Sequence, residues 1–182
     1  RIFEIALHSL FQVFAELKLL PGNLKRLSQM RSANKKHGNI GDIEISSTTS
    51  NSAIIEAWDA KYGKPYLRDE LEELVDKLEF HPETEVVGFV VNDNPNRKDE
   101  INDRLVEIKE DFDVDIFIFS FEEWVEYQIN NIKEYGMKNE EIASKWLIAF
   151  AQTICQRRRD IAPIDEPCDE WVMELKKHLT NN

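Results

Sequence analysis

The sequence predicts an α/β protein with a mixed central sheet flanked by helices. Three observations carry this prediction. Apolar residues recur at the helical period near the N-terminus, two alternating segments then indicate a β-hairpin, and strands and helices alternate along the rest of the chain. With 182 residues, the chain is long enough for one domain with a substantial core. We therefore expect a single domain over residues 1–182.

The N-terminal segment predicts a largely buried helix over residues 2–20. Its apolar residues recur every three or four positions, and further apolar residues widen that surface. Pro21 and Gly22 end the helix. The basic and polar residues 22–38 that follow predict a loop with room for one helical turn.

Residues 39–46 and 53–62 predict the two strands of a hairpin. In the first strand, Ile43 and Ile45 point to one face, so Asp42 and Glu44 share the other. The small and polar residues 47–52 supply the turn between the strands.

The later elements alternate between helices and strands. The segment 114–119 is apolar throughout, which indicates a central position in the sheet. Strands are predicted over 85–91 and 114–119, and helices over 66–79, 98–111, 121–134, 139–158 and 167–179.

The distribution of charge points to a local surface for DNA. A net charge of −12 argues against a general nucleic-acid coat protein, because phosphate binding requires positive charge. Residues 17–41, however, contain no acid and six basic residues, which leaves about −18 for the rest of the chain. This stretch is either a DNA-binding face or a solvated loop. The candidate DNA contacts are Lys25, Arg26, Arg31, Lys35, Lys36 and His37, together with Lys64, whose alternative is a plain turn residue.

The hairpin also brings together residues suited to metal-dependent phosphodiester hydrolysis. That chemistry requires carboxylates converging on one hard cation and a basic group beside the attacking water. Asp59 and Lys61 lie two apart on the second strand and so share a face, and a hairpin can bring Asp42 level with them. The backbone carbonyl of Ala60 could supply a further ligand, and Glu44 is the alternative to Asp42. The competing interpretation of Asp59 and Lys61 is a cross-strand ion pair on a wet sheet face.

Asp42, a short turn and then Asp59-Ala60-Lys61 at the end of an apolar strand resemble the signature of the PD-(D/E)xK nuclease superfamily, type II restriction endonucleases in particular. Residues 1–5 are similar to the first helix of that fold, which in many members carries a glutamate near the metal. The resemblance therefore implies a catalytic role for Glu4, whose alternative is the solvent-facing strip of its helix. Gly41 departs from the family pattern, which has proline there.

The resemblance covers about residues 1–120 and implies a single nuclease domain: a restriction-endonuclease-like core with extra C-terminal helices over about 121–182. It implies a Mg²⁺-dependent endonuclease, with Mn²⁺ able to substitute, that cuts specific sites in double-stranded DNA. Asp42, Asp59 and the Ala60 carbonyl would hold the metal, and Lys61 would position and activate the attacking water.

The resemblance also implies an oligomeric state. Many such enzymes are homodimers, and the apolar segment 142–154 is a candidate interface whose alternative is burial in the core.

Two other functions stay open: a non-catalytic interaction module of the same fold, and a structure-specific repair or resolvase nuclease. Without an apolar run of about 18 residues, a signal peptide or a disulfide framework from Cys155 and Cys168, we expect a cytoplasmic protein away from membranes. Because the chain begins at Arg1, we also expect a trimmed N-terminus.

Overall fold

A computed structural model describes residues 2–27, 39–50, 53–132, 136, 138–160, 173, 176 and 177. Packing groups the chain into two compact units. The first combines 1–19 with 135–182, and the second spans 20–134.

A five-stranded mixed sheet forms the centre of the second unit, so the α/β prediction is confirmed. The strands lie side by side in chain order. The first three pair antiparallel and the last three parallel, with the third strand shared between the two patterns. The strands are β1 (Asn23–Leu24), β2 (Ile43–Ser46), β3 (Ile54–Lys61), β4 (Val86–Val91) and β5 (Asp115–Ser120).

Two helices connect the parallel strands and cover one face of the sheet. Helix α2 (Arg68–Leu78) joins β3 to β4, and α3 (Asp99–Phe112) joins β4 to β5. Parallel strands require such crossovers, because the chain has to return to the same end of the sheet. Apolar residues spaced along both helices pack with the strand residues below them. This core includes Ala57, Leu71, Leu74, Leu78, Val87, Phe89, Ile101, Ile108, Ile116 and Ile118.

The opposite face of the sheet carries an aromatic cluster around Trp58. The indole is fully buried and stacks at 6.0 to 6.3 Å, centroid to centroid, on two phenylalanines of β5. Helix α4 (Phe121–Asn131) adds Trp124 and Tyr127 to the cluster. A Cβ on Gly88 of β4 would lie 2.3 Å from the Trp58 ring, so only glycine leaves room for it. Trp58 and Trp124 are both fully buried and belong to the core.

A β-bulge interrupts the hairpin near the start of β3. Ile45 pairs with Glu56 and Ser46 pairs with Ile54, so Ile55 is an extra residue on β3. From Glu56 onward the strand alternates regularly against both neighbours.

The first unit is built around two packed helices, α1 (Ile2–Glu16) and α5 (Asn139–Asp160). Trp146 Nε1 donates a hydrogen bond to the Ala6 carbonyl over 2.8 Å, and Thr153 Oγ1 donates to Gln12 Oε1 over 3.1 Å. His8 is buried and Glu4 and Gln12 are half-buried, so this strip is not the solvent face of α1, and tertiary packing overrides the polar pattern. None of the helices in the described part of the chain is long and apolar enough to cross a membrane.

The boundaries differ from the sequence-based ones at several points. Strand β2 begins at Ile43 rather than 39, and the short strand β1 lies where only a loop was predicted. On α5, Ile142, Phe150 and Ile154 are buried, whereas Leu147 and Ile148 are exposed, so the apolar segment is divided between core and surface. Most of the helix predicted over 167–179 lies outside the described residues.

Candidate active site

The Asp59-Ala60-Lys61 motif lies at the carboxyl end of β3, where the strand pairs in parallel with β4. Lys61 Nζ is 2.9 Å from Asp59 Oδ2, so the two side chains meet on one face as predicted. They are only partly accessible, with 15% of the Asp59 side chain and 19% of the Lys61 side chain exposed. The ion pair runs along a single strand and is not a cross-strand pair. Lys61 Nζ also lies 5.8 Å from the centroid of the Phe89 ring.

Asp42 reaches the same end of β3 from the residue before β2. The hairpin register pairs Ile43 with Trp58, which places the preceding residue level with the motif. The Ala60 amide donates a hydrogen bond to Asp42 Oδ2 over 3.0 Å. Because an ionised carboxylate has two oxygens and about four acceptor positions, this bond does not use up its capacity to bind a cation.

Gly41 allows this close approach of the two strands. A Cβ at position 41 would lie 2.6 Å from the Trp58 carbonyl oxygen and 2.8 Å from the carbonyl carbon. Both distances are shorter than non-bonded atoms can tolerate. The missing family proline therefore has a local reason in this chain. Any side chain at position 41 would push Asp42 away from Ala60.

Glu44, the alternative to Asp42, has a different environment. Its side chain is fully buried and accepts hydrogen bonds from the Ile40 amide over 2.5 Å and from Lys25 Nζ over 2.9 Å. Two hydrogen-bond donors on a buried carboxylate compensate for the free energy that the charge loses when it is removed from water. This favours a structural role for Glu44. It also directs the Lys25 ammonium into the protein, which weakens the interpretation of Lys25 as a DNA contact.

Lys64 and Glu70 form a second ion pair beside the motif. Lys64 Nζ is 2.8 Å from Glu70 Oε1, on the first turn of α2. The Lys64 side chain is 63% exposed, whereas that of Glu70 is only 12% exposed. Burial raises the pKa of Glu70, but the hydrogen bond and charge of Lys64, assisted by the charge of Lys61, outweigh it and hold that pKa below its ordinary value.

Sequence reasoning missed Glu70. The chain carries Asp69, Glu70, Glu72 and Glu73 within one helical turn, and no local pattern separates them. Only the helix phase, which turns Glu70 towards Lys64 and Lys61, distinguishes it from its neighbours.

Glu56 lies on the face of β3 opposite to Asp59 and Lys61, and it accepts a hydrogen bond from Trp58 Nε1 over 2.6 Å. Burial raises the pKa of this carboxyl against the lowering effect of hydrogen bonds from Trp58 and Gln128. Its position on the aromatic face separates it from Asp59 and Lys61.

The other candidates are placed as follows. Arg26 is exposed, and Glu4 is half-buried on α1 in the first unit. The remaining candidates for DNA contact, Arg31, Lys35, Lys36 and His37, lie outside the described residues.

The motif offers a cation two carboxylates, from Asp42 and Asp59, and the neighbouring backbone of Ala60. Within the described residues there is no group of three or more His, Cys, Asp or Glu side chains that could hold a metal. Mg²⁺ is commonly bound by one or two carboxylates with water and substrate oxygens completing the shell, so two acids are a sufficient protein contribution. The residues present therefore fit a magnesium ion and fit poorly a metal that requires a closed cage of side chains.

Comparison of the chain with models of known protein families, with curated proteins and with solved structures finds no match.

Proposed function

We propose that this protein is a Mg²⁺-dependent DNA endonuclease that hydrolyses phosphodiester bonds in the manner of the PD-(D/E)xK superfamily. One observation carries the proposal. The Ala60 amide holds the Asp42 carboxylate 3.0 Å away, level with the Asp59–Lys61 pair on the adjacent strand. Two acids and one amine at the end of a single hairpin are the groups that this reaction requires.

The surroundings of the motif add support. The order of α2 and the parallel strand β4 after Lys61 resembles the family core. Ligands of open α/β sheets commonly bind outside the carboxyl ends of the parallel strands, which is where the motif lies.

The proposal divides the work among these groups. Asp42, Asp59 and the Ala60 carbonyl would hold Mg²⁺, which when bound supplies Lewis-acid polarisation of the scissile phosphate. The contact with Asp59 orients the Lys61 amine. Lys61 in turn positions the attacking water and offsets the negative charge that develops on the phosphate in the transition state. The resemblance implies in-line attack that leaves a 5′-phosphate and a 3′-hydroxyl.

Two alternatives are distinguished by experiment. The net charge of −12 and the existing partner of Asp59, Lys61, favour a non-catalytic module in which the pair only stabilises the strand end. A structure-specific nuclease would use the same motif, but would act on junctions or damaged DNA instead of a specific sequence. Restriction-type cutting of double-stranded DNA, in a homodimer with one site per strand, stays a prediction, as does a catalytic role for Glu4.

A cleavage assay with a paired metal titration tests the proposal. Plasmid and phage DNA are incubated with the protein in Mg²⁺, in Mn²⁺ and in EDTA, and Mg²⁺ binding is measured by calorimetry. We expect metal-dependent cleavage, with discrete bands if the enzyme reads sequence. Asp59→Asn keeps the side-chain shape but removes a charge that a hard cation requires, so it is expected to abolish cleavage and weaken Mg²⁺ binding together.

Asp103→Asn is the matched control, since Asp103 is exposed on α3 and the same charge is removed. It is expected to cut and bind metal as the unmodified protein does. An Asp59→Asn variant that cuts at the unmodified rate would eliminate this motif as the active site.

A further inference from the structure

Two loops lie at the same end of the sheet as the motif. The loop over residues 62–67 follows β3, and the loop over 92–98 follows β4. Because β3 and β4 are parallel neighbours, both loops leave the same edge. We call this surface the carboxyl-edge platform.

Hydrogen bonds tie the two loops of the platform together. The Gly63 amide donates to Asn92 Oδ1 over 2.6 Å, and the Asn96 amide donates to the Pro65 carbonyl over 2.7 Å. Loops joined in this way lose little further conformational freedom on binding, which favours affinity.

The platform exposes aromatic rings beside the motif. Tyr62 directly follows Lys61 and is 73% exposed, and Tyr66 is 40% exposed. The Tyr66 hydroxyl donates to Glu100 over 3.0 Å, and Lys98 Nζ lies 5.0 Å from the Tyr66 ring centroid. A single exposed aromatic residue is ordinary, but two on adjoining fixed loops next to a candidate active site suggest a contact surface.

The charge of the platform differs from that of the whole protein. The loops 62–67 and 92–98 contain one acid, Asp93, and three basic residues, and Lys61 and Arg68 adjoin the first loop, in a chain with a net charge of −12. Three of these cations pair with glutamates of neighbouring helices: Lys64 with Glu70, Arg68 with Glu72 and Arg97 with Glu123. The Arg68 and Arg97 pairs are exposed on both sides, and such surface pairs contribute little, so phosphate oxygens can replace their glutamates at small cost. The Lys64 ammonium is 63% exposed and has three donors, so it can contact a phosphate while it keeps Glu70.

We propose that the carboxyl-edge platform is the surface that binds the nucleic-acid strand beside the catalytic motif. Tyr62 packs against a sugar or base next to the scissile phosphate, and Lys64 and Lys98 contact neighbouring phosphates. Exposed aromatic rings provide stacking surfaces for bases, and lysines on fixed loops provide the phosphate contacts that set position. The inference rests on the proposed function, whose substrate contacts it supplies from described residues outside the predicted basic segment.

The test measures DNA affinity separately from cleavage. Fluorescence anisotropy in EDTA, over a range of salt concentrations, follows binding of labelled duplex and single-stranded DNA. Tyr62→Ala is expected to weaken binding about 5- to 100-fold, and Tyr62→Phe, which keeps the ring, to restore it nearly fully. Lys64→Ala and Lys98→Ala are each expected to weaken binding and to lower the slope of log affinity against log salt by about one.

Matched controls lie at the opposite, amino end of the same parallel strands. Phe80, between α2 and β4, is 55% exposed, and the Lys109 side chain is 61% exposed and pairs with Asp115 at the start of β5. Phe80→Ala and Lys109→Ala remove the same kinds of group from the wrong end of the sheet. Both are expected to bind DNA as the unmodified protein does.

The outcomes separate this inference from the proposed function. If the unmodified protein binds and cuts DNA while the platform variants bind as well as the controls, the platform inference alone is wrong. If the platform variants lose affinity while Asp59→Asn still cuts, the platform stands and the motif assignment falls. A protein that binds neither duplex nor single-stranded DNA overturns both.

Discussion

Replacing Lys61 by alanine tests its proposed catalytic role separately from its contribution to folding. The substitution removes an ion pair of 2.9 Å with Asp59 and a cation–π contact of 5.8 Å with Phe89. Because the Asp59 side chain is only 15% exposed, leaving it without this partner costs about 1–3 kcal/mol, and the lost cation–π contact near the 6 Å limit adds about 0.5 kcal/mol. The expected loss of stability is therefore about 1–3 kcal/mol, against a total of roughly 5–15 kcal/mol for an ordinary domain, so the variant should fold.

The expected loss of activity is larger. A group that positions water and offsets charge in the transition state contributes about 10²- to 10⁴-fold in rate. This corresponds to about 3–5 kcal/mol of activation free energy, and it is measured on the folded fraction of the variant. Removing a positive charge beside Asp42 and Asp59 should leave Mg²⁺ affinity unchanged or slightly higher.

The assay is single-turnover cleavage with saturating enzyme, which reports the chemical step without a contribution from product release. Circular dichroism during thermal unfolding and a Mg²⁺ titration accompany it. Lys61→Met is the closest comparison, because it keeps the aliphatic stem against Phe89 and removes only the charge. Lys109→Ala, which breaks an exposed ion pair with Asp115, controls for the loss of any surface lysine.

A folded Lys61→Ala variant that cuts at the unmodified rate would refute the reasoning. The Asp59–Lys61 pair would then be a structural ion pair, and the non-catalytic interpretation of the chain would become the better one. A variant that loses metal binding together with cleavage would instead contradict the separate roles given to the acid and the amine.

Two further predictions concern the strand around Trp58. Gly41→Ala forces a Cβ to within 2.6 Å of the Trp58 carbonyl oxygen, so denaturant unfolding should show a loss of about 1–3 kcal/mol in the free energy of unfolding. Calorimetry should show a weaker Mg²⁺ affinity, because Asp42 is displaced. A variant with unchanged stability would show that the strands separate freely. Because the pKa of Glu56 is raised in the folded protein, mainly by burial, the fold binds more protons than the unfolded chain, and stability should fall as pH rises from about 4.5 through that folded pKa. Glu56→Gln keeps an acceptor for Trp58 Nε1 and removes the charge. In thermal melts from pH 4 to 8, the stability of the variant relative to the unmodified protein should therefore increase as pH rises. A stability difference that stays constant with pH would exclude the ionisation of Glu56 as its cause.

The sequence predicted the mixed sheet because its signals were local. Alternation over the β2 and β3 segments, the apolar run of β5 and the spaced leucines of α2 each report burial of one short stretch. The two-residue strand β1 carries no such signal, since a pair of residues is too short for any period. Its place beside β2 depends on the tertiary fold alone.

The contact within one strand of the candidate site was predictable from the sequence, whereas the contacts between segments that are distant in sequence were not. Asp59 and Lys61 share a face because they are two apart on a strand, and this follows from sequence. The ion pair between Glu44 and Lys25, by contrast, depends on where the tertiary fold places residue 25. The hydrogen bond between Asp42 and Ala60 depends on the register in which the two strands pair. The burial of His8 shows the same limit, because tertiary packing decides which residues of α1 are covered.

The pairing of β2 with β3 has a consequence for how such sites vary among proteins. Asp42 is held level with Ala60 by the hydrogen-bonded ladder, and the connection between the strands lies at the far end of that ladder. Residues added to this connection lengthen the chain between the two acids without moving either one, and doubling a flexible loop costs only about 0.6 kcal/mol. The interval between the acids is therefore free to drift during evolution while the distance in space is conserved. Distantly related proteins with such a site would be found by aligning the residues that pair between the two strands. A search for a fixed number of residues between the two acids would miss them.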